Sequence, residues 1–212
     1  MSGAWLREEQ AGLAEEKILE AAGRAFVDLG VSRTRMGHIA QYAGCSRGTL
    51  YRYFKTRHEL HLAYVNHWAR KLSAELADEL RAIDDPYQRL VEGILRPVQK
   101  ARATPGTAAW FELDASGITV RMSHGSELID ALAEAFVEGL VRSADGLAFA
   151  PAGGGEGSAL SQPEQTLREQ TLRARWLVRV VVSLLTMPGE SEEEERALVE
   201  RFVAPGLLAR AG

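Results

Sequence analysis

The chain has 212 residues, 46% hydrophobic and 25% charged, an ordinary globular composition with room for one large or two modest domains. No apolar run is long enough to cross a bilayer, the acidic start MSGAWLREEQAGLAEE lacks the hydrophobic core of a secretion signal, and a single cysteine, Cys45, excludes an internal disulfide framework, so the expected compartment is the cytoplasm. The net charge of −4 argues against a nucleic-acid coat, but it is unevenly spread: residues 1–82 hold 12 Lys and Arg against 10 Asp and Glu, and residues 83–212 hold 13 against 19.

Residues 12–29 read as a helix with Ile18, Leu19, Ala22, Ala25, Phe26 and Leu29 on one face, ended by Gly30 as a C-terminal cap. The stretch from Thr34 to Phe54, TRMGHIAQYAGCSRGTLYRYF, reads as two short helices joined by a sharp turn. Met36, Ile39, Ala40 and Ala43 form the apolar stripe of the first, and Gly44 supplies the left-handed residue the turn needs. Ser46 is placed to cap the second helix, because its hydroxyl can accept an orphan backbone N–H. Leu50 and Phe54, four apart, share the face that enters a core. Gly48, Thr49 and Arg52 then point the other way, with Arg47, Tyr51 and Tyr53 on the flanks.

A helix with small residues and an arginine on its outer face suits the DNA major groove. The groove admits one helix, small side chains allow close approach, and arginine pairs with guanine edges in bidentate fashion. Tyrosine hydroxyls beside it suit phosphate oxygens. Between residues 30 and 61, Arg33, Arg35, Arg47, Arg52, Lys55 and Arg57 oppose only Glu59, a local basic patch on an acidic chain.

Thr56 and Glu59 have the spacing of a capping box and open a helix to about Ala82, with Leu60, Ala63, Tyr64, His67, Leu72, Leu76 and Leu80 on its inner side. Its length makes it a lever between the DNA-facing part and the rest. Pro86 opens the next helix, to about Arg102, within which Pro97 is expected to kink or end it. GTAAWFELDASG reads as a short helix, ITVRMSHGS as a short helix or a loop, and residues 126–144 as an amphipathic helix with Leu128, Ile129, Leu132, Ala135, Phe136, Leu140 and Val141. Residues 146–163 read as a loop; its GGGEG lacks the Gly-Lys-Ser/Thr ending of a phosphate-binding loop. Residues 164–187 form a helix whose end, ARWLVRVVVSLLTMPG, is apolar on nearly every side. The last helix starts with the acidic run Glu192–Glu195, where the helix dipole favours negative charge. No segment reads as a strand, so the expected fold is all-α.

The run from Gly30 to Leu60, GVSRTRMGHIAQYAGCSRGTLYRYFKTRHEL, resembles the DNA-binding domain of the tetracycline-repressor (TetR) family. The elements that match are IA, AG, the serine, the TLYRYF block, and a basic residue three positions before a leucine. The resemblance covers about residues 12–62, with the helix-turn-helix at 34–54, and implies a second, effector-binding and dimerisation domain over 63–212. It implies that Arg47, Gly48, Thr49 and Arg52 face bases, and that Arg35, Ser46, Tyr51, Tyr53 and Arg57 hold the DNA backbone. Arg35 stands where many relatives have a capping hydroxyl, and arginine cannot cap. Gly37 weakens its helix by roughly 0.5–1 kcal/mol relative to alanine.

In the second domain Tyr64, Trp68, Leu95, Val98, Trp110, Phe111, Met122 and Phe136 either fill a core or line a cavity, and the resemblance favours an effector cavity, with Glu112 and Asp114 as polar anchors. Trp176, Leu177, Val180, Val181, Leu184 and Leu185 cover more than one face of their helix and are expected at a homodimer interface, with Leu132 and Phe136 of the 126–144 helix beside them in the four-helix bundle that the resemblance implies. The partners implied are a palindromic double-stranded DNA operator, a second copy of the chain and a small, largely apolar effector; no membrane and no cofactor are implied. Enzyme readings are weak. His58 and His61 sit in HELH, which is not a zinc-protease motif, there is no Gly-x-Ser-x-Gly elbow, and Cys45 reads as turn filler. The sequence therefore reads as a DNA-binding regulator, most simply a repressor. The alternative is a helical adaptor or enzyme whose helix-turn-helix contacts protein.

Overall fold

The computed structural model describes residues 3–112, 115, 117–119, 126–143 and 162–208, all helix and connections with no strand among them. The helices are α1 (Gly3–Leu29), α2 (Met36–Tyr42), α3 (Arg47–Tyr53), α4 (Arg57–Arg81), α5 (Pro86–Ala103), α6 (Pro105–Ala108), α7 (Glu127–Ser143), α8 (Gln162–Thr186), α9 (Glu192–Leu198) and α10 (Ala204–Leu208), with a π-helical turn at Val199–Val203. The expected loop at 146–163 lies almost wholly outside the described residues.

Two compact units emerge. The first takes Met1–Arg70 and Arg102–Gly125, the second Lys71–Ala101 and Ser126–Gly212. The first unit thus contains the expected DNA-binding domain and adds the segment around α6. Its core joins Ile18, Leu19, Ala22, Ala25 and Phe26 of α1 to Met36, Ile39 and Ala40 of α2, Leu50 of α3, Phe54, Leu60 and Tyr64, and also Trp110. Local chemistry sets the ends of these helices. Gly30 (φ 77) closes α1, its N–H donating to the Phe26 carbonyl, and Gly44 (φ 65) makes the turn after α2. The capping box at α4 is formed: the Glu59 N–H donates to Thr56 Oγ1 (3.0 Å), and the Lys55 and Thr56 N–H groups donate to Glu59 Oε2.

Below α2 and α3 the core is aromatic. The Phe26 ring meets His61, Tyr64 and Trp110 edge-on at 5.5, 5.1 and 5.4 Å, while Tyr64 and Trp110 stack at 5.8 Å. Two glycines make room for it. A Cβ on Gly106 would come within 2.6 Å of the Tyr64 hydroxyl and 3.3 Å of the Gly23 Cα, so α1 and α6 cross where neither has a side chain.

In the second unit α5 continues through Pro97 and does not end there, the first of the two outcomes the proline allowed being excluded. The reason is burial: Leu90, Val91, Ile94, Leu95, Val98 and Ala101 keep one inward stripe on both sides of the proline, which outweighs one lost backbone bond. Gly93 is one turn before Pro97, and a Cβ there would overlap the Phe136 ring of α7. An ion-pair network ties α5 to its neighbours: Glu92 accepts from Arg96 Nε (2.8 Å) and from Arg196 Nη2 (2.9 Å), and Arg96 also reaches Glu79 (2.9 Å). Burial opposes the charge on Glu92, but the two arginines outweigh it and hold its carboxyl below the usual range. The acidic run at α9 is structural, as expected. Ser191 caps the helix, accepting from the Glu194 N–H, and buried Glu195 accepts from the Gly189 N–H.

Candidate DNA-binding surface

The candidate surface is built on α2 and α3. Leu50 and Phe54 are buried beneath α3, which turns Arg47, Gly48 and Arg52 outward, with Thr49 half-buried. Ser46 caps α3 as expected, accepting from the Thr49 N–H at 3.0 Å, and its hydroxyl also meets Thr49 Oγ1 at 2.9 Å. Both small hydroxyls are thereby held at the tip of the helix. Ser46→Ala is expected to cost about 1 kcal/mol of stability and Ser46→Gly only a few tenths, read from urea midpoints. Tyr51 is exposed, and the Arg52 guanidinium lies 5.4 Å from the centre of the Tyr53 ring.

α2 is held by more than its apolar stripe. Tyr42 donates to Asp28 Oδ2 (2.7 Å), Arg24 donates to the Tyr42 carbonyl (3.4 Å), and buried Thr34 uses its hydroxyl on the Gly30 and Ala25 carbonyls. Arg35 occupies the N-cap position with no side-chain cap of its own. The cap is made from the other side, where His38 Nδ1 accepts the Arg35 N–H at 3.3 Å. Sequence reasoning missed His38, although its place three residues into the helix is where a capping acceptor belongs.

Arg57, which the resemblance implied at a phosphate, makes contacts within the chain. Its Nη2 donates to the Val31 and Ser32 carbonyls at 2.6 and 2.7 Å, pinning the start of α4 to the α1–α2 connection. Those acceptors lie 26 and 25 residues away in sequence, so nothing local announced the contact.

The residues expected around one effector cavity divide between the units. Tyr64 and Trp110 are core of the first unit, Phe111 packs on that core, and Trp68 is half-buried there. Leu95, Val98 and Phe136 belong to the second. Asp114 and Met122 lie outside the described residues. Burial pushes the Tyr64 phenol up to about 12. His61, weighed in the sequence only as part of HELH, is 3% exposed; burial, then the charges of Arg57 and His58, push its imidazole down to about 4.

The expected dimer residues also separate. Leu177, Val180, Leu184 and Leu185 are buried within the single chain, on the inner face of α8 with Ala174 and Arg173. Their burial therefore needs no partner, a correction to the inference from apolar excess. Val181 is half-buried, as are Leu132 and Phe136 of α7. Trp176 stays 49% exposed, and Leu172, one turn earlier on the same outer face, 54%.

No group of three or more His, Cys, Asp or Glu among the described residues is arranged to hold a metal ion, and none of their helices is long and apolar enough to cross a membrane.

A short exposed helix seated on an α1–α2 core, with a turn at Gly44 and a basic outer face, defines a helix-turn-helix DNA-binding protein. Residues 18–64 match the model of the bacterial regulatory proteins of the tetR family. The chain is 36% identical over 201 residues to an HTH-type transcriptional regulator of Mycobacterium tuberculosis strain H37Rv, covering 95% of this chain and 89% of that one. The chain belongs to the tetR family of transcriptional regulators. Its fold is similar to that of a TetR transcriptional regulator from Rhodococcus sp. RHA1 (TM-score 0.61, 18% identity, 97% of this chain and 100% of that one). It is also similar to the regulator FadR of Bacillus subtilis, solved with stearoyl-CoA (TM-score 0.56, 12% identity, 92% and 97%). The protein is a DNA-binding transcriptional regulator.

Proposed function

We propose that the protein is a cytoplasmic, homodimeric, non-enzymatic repressor. Its α3 helices read a palindromic operator, and a small, largely apolar effector releases it. The observation that carries the DNA reading is the division of α3: Leu50 and Phe54 are buried while Gly48 and Arg52 face out. Gly48, Thr49 and Arg52 are the base-facing set in this reading, with Arg35, Ser46, Tyr51 and Tyr53 beside the backbone. Arg57 acts by positioning, since it ties α4 to the loop that leads into α2. Effector release follows from differential affinity, because a ligand that prefers the conformation DNA disfavours must lower operator affinity. The apolar class draws on the acyl chain of the stearoyl-CoA with which the FadR neighbour of similar fold was solved.

Binding to a duplex selected from random DNA by the full-length protein tests the reading. Arg52→Ala is expected to lose roughly 1–3 kcal/mol on the selected duplex and to relax preference at one position of each half-site, with little change on unselected DNA. Equal losses on both DNAs would remove Arg52 from the base-reading set. Salt-independent binding by the unaltered protein would overturn the DNA reading itself.

A further inference from the structure

Arg47 opens the recognition helix, but its guanidinium is seated on the neighbouring helix. A Cβ built on Gly37, in the first turn of α2, would lie 2.7 Å from Arg47 Nη2, 3.1 Å from Nε and 3.2 Å from Cζ. The whole guanidinium therefore rests against the one α2 residue that has no side chain. Arg47 is exposed, as is Arg35 two residues before Gly37. Neither makes an ion pair with a carboxylate among the described residues.

We propose that Gly37 is a positioning residue: it seats the Arg47 guanidinium over α2, so that Arg47 grips a phosphate of the DNA backbone and reads no base. This rests on the DNA-binding reading above and reassigns Arg47 within it. A guanidinium laid on α2 with no carboxylate partner among the described residues matches a phosphodiester better than a base edge, which needs a coplanar fork aimed along the groove floor. Drawing Arg47 onto α2 also leaves the outer face of α3 to Gly48, Thr49 and Arg52. The seat explains a glycine that costs helix stability. Alanine at that position would help the helix, but its methyl group would displace the end of a flexible arginine rather than any backbone.

The test is a cycle of Gly37→Ala, Arg47→Ala and the double variant in the full-length protein, on the selected duplex and on calf-thymus DNA. Far-UV circular dichroism and melting temperature control for folding. Arg47→Ala is expected to weaken both DNAs by a similar factor, roughly tenfold, and to reduce the slope of log affinity against log salt by about one. Gly37→Ala is expected to melt at the same or a higher temperature, yet to lose binding to both DNAs in parallel. In the Arg47→Ala background it should cost nothing more. The proposal is overturned if Gly37→Ala binds as the unaltered protein does, if its loss adds in full to that of Arg47→Ala, or if Arg47→Ala relaxes base preference on the selected duplex. Should the unaltered protein fail to select any duplex, the DNA-binding reading fails and the proposal falls with it; a failure confined to the Gly37 variants overturns the seat alone.

Discussion

Trp176→Glu is expected to convert the dimer to a monomer and to cut operator affinity by a hundredfold or more, while leaving each chain folded. The outer face of α8 carries Leu172 and Trp176, both about half exposed, opposite the buried stripe of Ala174, Leu177, Val180 and Leu184. A tryptophan left open next to a leucine one turn away is a candidate anchor for a second copy, since interfaces concentrate their energy in buried aromatic residues. A carboxylate on that face costs a folded monomer little but would be buried and unpaired in a dimer. DNA affinity should fall with dimerisation because a single recognition helix touches too few bases. Two linked copies reach major grooves about 34–36 Å apart, and linkage is worth roughly 10²–10⁴ in affinity. Leu185→Glu is the contrast. Leu185 is 8% exposed in the single chain, so a charge there should unfold the second unit instead of merely separating the copies. Sedimentation at micromolar concentration and binding to the selected duplex distinguish the two. A Trp176→Glu protein that sediments as the unaltered one does would sink the assignment of this face.

The second large effect concerns pH. His61 is enclosed by Phe26 and Trp110, their ring centres 5.5 and 5.0 Å from its own, and its Nε2 has no hydrogen-bond partner among the described residues. Burial pushes its imidazole from the ordinary 6.5 down to about 4, with Arg57 and His58 adding to the shift. The unfolded chain takes up a proton as pH falls through 6.5, whereas the folded chain resists until near 4. Stability from this group is therefore complete above pH 6.5 and is lost as pH falls toward 4, by an amount on the order of 2–3 kcal/mol at pH 4.5. Carboxylates titrate in the same range, so the comparison is with His61→Gln, which lacks this proton. Urea midpoints at pH 7.5 and 4.5 should differ more for the unaltered protein than for the variant. Equal differences would mean that His61 is hydrated and charged in the fold.

Short-range chemistry accounts for what the sequence alone determined. Gly30 and Gly44 adopt the left-handed backbone their positions called for, and Ser46, Thr56 with Glu59, and Ser191 cap the helices they precede. Each of these acts over no more than four residues, so spacing and residue type suffice. The same holds for the division of α3 into a buried and an exposed face, which follows from the helical period and two apolar residues. The resemblance to the TetR family was legible for the same reason, being carried by one contiguous stretch.

Tertiary structure decided what distant chain segments do to each other. Arg57 looks like any basic residue near DNA until Val31 and Ser32 bring their carbonyls to it. Tyr64 and Trp110 looked like cavity lining, yet α1 and α6 meet at Gly23 and Gly106 and close those rings into a core with Phe26. On α8, apolar residues surround the helix, so periodicity could not tell an inner face from an outer one. Only packing within the second unit buried Leu177, Val180, Leu184 and Leu185 and left Trp176 open. Gly37 is the sharpest case. In sequence it is a defect in a short helix; in the fold it is the space that the Arg47 side chain occupies, and that space exists only because α2 and α3 cross where they do.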